Sequence, residues 1–193
     1  METTIYFIRH GETLANSQRV LQGRIDTPLT ETGKKQILKT CKDLTNMVIN
    51  WKAIYTSPLG RAMETTNIIT SYFPRRKPVI VEPLIMEREF GEGDGLKIND
   101  SNYRKLLYNE FEGEETEEEI IQRADTFIKK VLHDYFGKEV LVISHSHFIK
   151  ACFMPYIENL RFDSKTQNGG ISILKFNDFN HIRFAKMDIN FIH

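Results

Sequence analysis

The sequence carries no surplus of charge of either sign: Lys and Arg together number 26, and so do Asp and Glu. A general nucleic-acid binder or a membrane-surface protein needs a basic excess, so neither kind of partner is expected; a local basic pocket is still compatible with the balance. Cysteine is scarce. Cys41 and Cys152 fit neither a metal-ligand nor a redox spacing, and they are expected to be buried thiols of a reduced, cytoplasmic protein. No apolar run is long enough to cross a bilayer, and Met1-Glu2-Thr3-Thr4 lacks the basic and apolar regions of a signal peptide. Internal repeats, low-complexity tracts and linkers are missing too. What is there, 193 residues with 40% hydrophobic content, suffices for one domain over 1–193 with a substantial core.

Strands alternate with helices along the chain. Thr4-Ile5-Tyr6-Phe7-Ile8 is β-branched and aromatic without alternation, which predicts a strand buried on both faces. Thr30 is placed to cap a helix running to about Asn46, although Gly33 in its first turn has no compositional reason. Trp51–Thr56 reads as a second strand, followed by Ser57 as N-cap and Pro58 at the first position of a helix ending near Tyr72. Pro78–Val81 is a short strand, and Phe90–Gly95 is a loop broken by glycines. A short helix is expected around Tyr103–Asn109. The acidic run Glu112–Glu119 opens a helix whose stripe includes Ile120, Ala124, Phe127 and Val131. Val140–Ile143 is a second fully apolar strand, with a helix after it to about Met154. Ile171–Phe176 and Ile182–Met187 form a hairpin across the turn Asn177–His181. This order predicts an α/β fold, a three-layer α/β/α sandwich with a mostly parallel sheet and helices on both faces.

In such sheets ligands bind beyond the carboxyl ends of the strands. Four segments leave those ends with polar chemistry: Arg9-His10, Ser57 to Arg61, Glu87 and His145. Arg9-His10 alone fits two readings, a phosphate site or ordinary surface residues leaving a core strand. Together the four supply two imidazoles, two guanidiniums and a carboxyl group. Neighbouring arginines repel a metal cation, so no metal and no cofactor is expected. The set suits phosphoryl transfer, in which a nucleophile is held in line and charge on the phosphoryl oxygens is balanced. A neutral imidazole can attack phosphorus, arginine offers a fork to the oxygens, and Glu87, were its pKa raised, could protonate the leaving alkoxide.

Arg9-His10-Gly11-Glu12-Thr13 with Asn16 resembles the signature of the histidine phosphatase (phosphoglycerate mutase-like) superfamily. The similarity continues through Gln22-Gly23, Asp26-x-Pro28-Leu29-Thr30 with Gly33, Ser57-x-Leu59-x-Arg61-Ala62, Glu87-x-x-Phe90-Gly91, Ser144-His145 and Asn168-Gly169. It implies the phosphoglycerate mutase-like fold, His10 as the phosphorylated nucleophile and Glu87 as proton donor. It also implies a phosphate pocket of Arg9, Arg61 and His145, a hydrogen bond from Asn16, and Gln22 and Gly23 at the rim. The Leu-Thr-x-x-Gly helix start accounts for Gly33. Glu115-Thr116 to Arg123 resembles the family's Glu-Ser-x-x-x helix start and equally well reads as a capped helix with a structural arginine.

Two positions depart from the family's pattern. Ser146 stands where glycine usually follows the second histidine. Its N–H and hydroxyl can serve the phosphate if φ is negative, and it would be strained if φ is positive. Gly93-Asp94 replaces an aromatic-acidic pair, which predicts a looser loop and a less apolar pocket wall.

The resemblance implies a metal-independent, histidine acid-type phosphatase that hydrolyses phosphomonoesters. The first alternative is a cofactor-dependent phosphoglycerate mutase; its longer segment before the second histidine is replaced here by a short acidic one. The second alternative is an inert binding or regulatory homologue, which has no need of the whole set. The expected partner is a small phosphorylated metabolite, such as a sugar phosphate or bisphosphate, a cobamide nucleotide-loop phosphate or a phosphopeptide. Specificity is expected from a cap-like insertion around 96–116, and the acidic Glu112–Glu119 stretch, if it overhangs the site, would disfavour highly anionic substrates. His133, His181 and His193 are expected at the surface without partners. The sequence does not set the oligomeric state.

Overall fold

The computed structural model describes residues 1–47, 49–73, 77–178 and 181–188. Its centre is one six-stranded sheet in the order β3-β2-β4-β1-β5-β6. The strands are β1 (Thr3–Arg9), β2 (Ala53–Thr56), β3 (Val79–Val81), β4 (Glu139–Ser144), β5 (Ile171–Phe176) and β6 (Ile182–Lys186). β1 to β4 run parallel; β5 is antiparallel to β1, and β6 is antiparallel to β5.

The apolar runs of β1 and β4 are continuous because both faces are covered. Ile5, Phe7, Val140 and Val142 point into one core with α5 (Glu117–Asp134) and α6 (Ser146–Phe153). Tyr6, Ile8, Leu141 and Ile143 point into the other, against α2 (Glu31–Asn46) and α3 (Gly60–Tyr72). Each Ile, Leu or Phe buried this way contributes about 1.5–3 kcal/mol. The three-layer expectation holds. A third, smaller cluster joins Leu21, Phe90 and Leu106, the last from α4 (Asp100–Leu107); α1 (Leu14–Ser17) is a single turn after β1.

Gly33 has a physical reason that the helix pattern alone could not give. α2 begins against the Gly11-Glu12 backbone, so a Cβ on Gly33 would overlap the Glu12 carbonyl, and one on Gly11 would sit 2.6 Å from the Gly33 carbonyl oxygen. The Thr30 cap holds the same junction: its Oγ1 accepts from Gly33 N–H at 3.0 Å and donates to Glu12 Oε1 at 2.7 Å.

The start of α3 corrects the sequence reading. Its N-cap is Leu59, and Ser57 is not the cap. The Asp26 carboxylate does the capping from a distant loop, accepting from Gly60 N–H and from Arg61 N–H at 3.3 Å. Ser57 is buried and turned toward His145. His133 and His181 are exposed as expected, but each has a carboxylate partner, Asp134 and Asp178. His193 and part of the expected Asn177–His181 turn lie outside the described residues. Cys41 and Cys152 are buried, and burial pushes the Cys41 thiol up to about 12. Among the described residues no helix is long and apolar enough to cross a membrane.

Candidate active site

β1 and β4 are neighbours in a register that sets Arg9 opposite Ser144, so their next residues, His10 and His145, leave the sheet together. Their ring centroids are 5.1 Å apart. His10 N–H donates to the Ser144 carbonyl at 3.1 Å, and Asn168 Nδ2 donates to the His10 carbonyl at 3.0 Å. His10 Nδ1 lies 2.8 Å from the Gly11 carbonyl oxygen. A carbonyl only accepts, so Nδ1 carries the proton and Nε2 keeps its lone pair. Burial, then the Arg61 and Arg9 charges, hold the pKa of His10 well below the usual imidazole value. The ring is therefore neutral at pH 7.

His145 is fixed by the same logic. Arg61 Nε–H donates to its Nδ1 at 3.2 Å, so the proton sits on Nε2, which donates to Ser57 Oγ at 2.8 Å. Burial and Arg61 lower this pKa too. Arg61, 1% exposed, also donates through Nη1 to Ile25 O at 2.8 Å and Asp26 Oδ1 at 3.2 Å, and through Nη2 to Gly23 O at 2.7 Å. Four of its five N–H bonds are engaged by protein. Gly23 is thus a holder of Arg61 and does not line the cleft. The expected looseness after Gly93 is also corrected: the Asp94 carboxylate accepts from Gly23, Arg24 and Ile25 N–H groups and ties the two loops together.

Arg9 is the freer guanidinium. Its Nη1 donates to Thr166 O at 2.7 Å and Thr166 Oγ1 at 3.3 Å, while its Nε is buried without a partner among the described residues. Burial lowers its pKa against the pull of Glu87 and Asp188. Asn16 Oδ1 accepts from Thr13 N–H and Asn168 Nδ2, and Gln22 bonds Thr13 and Thr27; both line the cleft.

Glu87 lies at the N-terminus of α6. Its Oε1 accepts from His147 N–H at 3.0 Å, Phe148 N–H at 3.3 Å and Arg88 N–H at 3.0 Å, whereas Oε2 accepts one long bond of 3.4 Å. Ser146 is the first residue of α6, its φ is negative, and its Oγ pairs with Thr166 Oγ1 at 2.8 Å. The serine in place of glycine is unstrained.

The acidic stretch does not overhang the site. Glu114 is buried against Arg88 at 2.9 Å, and Glu115 pairs with Arg123 at 2.7 Å. Arg123 Nη1 also donates to the Leu84 and Met86 carbonyls, so this arginine is structural and braces the segment that carries Glu87.

The cleft above His10 measures about 430 Å³. One wall is apolar, with Leu21, Phe90, Ile98, Tyr103 and Leu106, which corrects the expectation of a less apolar wall and includes the expected 96–116 segment. His145 and Arg61 lie beneath His10, outside the cleft lining. The other wall, His147, Lys150 and the 162–167 loop, was missed by the sequence reading. The available signal was a lysine inside the otherwise apolar run Phe148–Phe153. Among the described residues no three His, Cys, Asp or Glu side chains converge as a metal site would require.

Comparison with known proteins gives a consistent result. Residues 5–187 match the family model of the histidine phosphatase superfamily, branch 1. The chain is 33% identical over 149 residues to the uncharacterized phosphatase PhoE of Bacillus subtilis, covering 77% of this chain and 75% of that one. It is 30% identical over 151 residues to the probable phosphoglycerate mutase GpmB of Yersinia pestis, covering 73% and 68%. The solved structure of Bacillus stearothermophilus YhfR superposes with a TM-score of 0.77 at 26% identity, covering 89% of this chain and 90% of the other.

Proposed function

The chain belongs to the histidine phosphatase superfamily, and on that premise we propose that it hydrolyses small phosphomonoesters through a phosphohistidine on His10, without a metal. The observation that carries this reading is a neutral His10 whose Nδ1–H is held by Gly11 and whose Nε2 is free beside two arginines. Nε2 attacks phosphorus as the bond to the leaving oxygen breaks, and Glu87 gives that oxygen a proton. Water then attacks phosphorus and passes a proton to Glu87 as the N–P bond breaks, releasing phosphate. Oε1 of Glu87 is held by three backbone N–H groups, so the proton comes and goes at Oε2.

Arg9 has three unengaged N–H donors in its fork and acts as the main clamp on the phosphoryl oxygens. Arg61 adds its one spare N–H and its charge. His145 contributes by turning its Nε2–H from Ser57 to a phosphoryl oxygen. Asn16, Gln22 and Ser146 add polar contacts, and 96–116 forms a cap. Two free, buried cysteines support a reduced cytoplasmic setting. Transfer to a second hydroxyl, as in a mutase, is less favoured because the 88–144 segment is short.

The test is phosphate release from an aryl phosphate in chelator, with trapping of an acid-labile, base-stable phosphoenzyme. We expect turnover and label in the wild type, and no label with turnover down more than about 10³-fold in His10→Ala. Full activity in that variant would reject the nucleophile; no turnover in the wild type would reject the enzyme.

A further inference from the structure

The floor around His10 accounts for Arg9, Arg61 and one phosphoryl group, but not for the wall that α6 presents. Ser146, His147 and Lys150 share one side of that helix and all line the cleft. Lys150 is 4% exposed yet forms no ion pair among the described residues; its Nζ donates to the Phe162 carbonyl at 2.7 Å. An ammonium has three donors, so two find no partner among the described residues of a largely buried site. Among the described residues no carboxylate lies within ion-pair distance of its Nζ. Glu87 caps α6, Asp188 accepts from Gln167 N–H at 3.0 Å, and Asp163 is exposed at the rim.

His147 is in a similar condition. Its ring packs between Phe90 and Phe162, and its Nδ1 is buried with no partner among the described residues. Buried cations and polar atoms are normally paired, and an anionic oxygen is the acceptor that suits the ammonium and, in the tautomer with its proton on Nδ1, the imidazole. Burial and the Arg9 charge lower the Lys150 ammonium to about 8 against the pull of Glu87, Asp163 and Asp188, which leaves it mostly cationic at pH 7.

We infer that the leaving group of the substrate carries a second acid group, a carboxylate or a second phosphate, which Lys150 and His147 receive while the phosphoryl group sits on His10. This rests on the phosphatase reading above and names its substrate class. His10, His147 and Lys150 line the same cleft, so one small leaving group reaches from the phosphoryl site to the α6 wall. The carbon chain lies along the apolar wall of Leu21, Ile98 and Leu106.

The experiment is calorimetric titration with three phosphonates: propylphosphonate, 3-phosphonopropionate and propane-1,3-bisphosphonate. In the wild type each second acid group is expected to tighten binding at least tenfold, and the stronger of the two identifies carboxylate or phosphate. Lys150→Met brings the ratio to near one, and Lys150→Arg keeps most of it. Equal binding of all three by the wild type, or a ratio that survives in Lys150→Met, overturns the inference. If Lys150→Met does not fold, His147→Phe must cut the ratio at least threefold, and an unchanged ratio overturns it equally. Binding needs no turnover, so absent phosphate release from a plain aryl phosphate sinks the earlier reading alone.

Discussion

Acid is expected to destabilise this protein through three buried histidines. His10, His145 and His147 all lie within the cleft and its floor, and burial, with neighbouring cations, holds each well below the ordinary imidazole value of about 6.5. As pH falls through that value the unfolded chain takes up protons that the folded one refuses, so the stability present above it is progressively lost. Between pH 7.5 and 5.5 each such histidine costs on the order of 1 kcal/mol, and the three together a few times that, a large part of a typical total. Glu114 and Asp188, raised by burial, act with the opposite sign at the acid end, so the comparison of variants is the cleaner measurement. Urea midpoints and slopes at the two pH values give the stability difference. His147→Phe removes a buried nitrogen without a partner from between two phenyl rings. It is expected to raise stability at pH 7.5 by about 1 kcal/mol and to remove about a third of the acid loss. A wild type equally stable at both pH values, or a variant with the full acid loss, would refute the burial argument.

Three further outcomes follow from the same geometry. Because His10 stays neutral well below the usual value, kcat/KM for an aryl phosphate shows no acid limb at pH 6.5 from the nucleophile; a limb there that His10 accounts for contradicts the assigned tautomer. Asp26→Ala removes the α3 cap and an Arg61 partner together. It should cost about 1–3 kcal/mol in a denaturant melt and at least tenfold in kcat/KM. Gly33→Ala gains about 1 kcal/mol of helix propensity but overlaps the Glu12 carbonyl, so a net loss of about 1–3 kcal/mol is expected in the same melt; a stabilised variant would show that the contact yields easily.

The parts of the fold that were legible in the sequence share one cause. β1 and β4 are covered on both faces, so burial wrote continuous apolar runs into Thr4–Ile8 and Val140–Ile143, and polar residues mark where each run ends. Thr30 and Thr116 cap their own helices through local bonds, and local bonds leave local patterns. The start of α3 was misread because a local signal at Ser57-Pro58 competed with a carboxylate more than thirty residues away, at Asp26. Gly23 and Asp94 were misjudged for the same reason: their roles exist only across a contact between loops. The 162–167 loop has no periodicity to betray it, and His147 and Lys150 read as members of a short helix until α6 is set against the cleft.

The β1–β4 register has a consequence for how this protein gains or loses activity. Side chains alternate across a sheet, so a slip of one residue between these strands would send His10 or His145 to the wrong place and exchange the side chains packed in the two cores. No intermediate pairing keeps a half-assembled site on an intact core. A refolded population is therefore expected to divide into fully active molecules and dead ones. Partial specific activity would then count correctly folded molecules and would not measure a weakened catalyst.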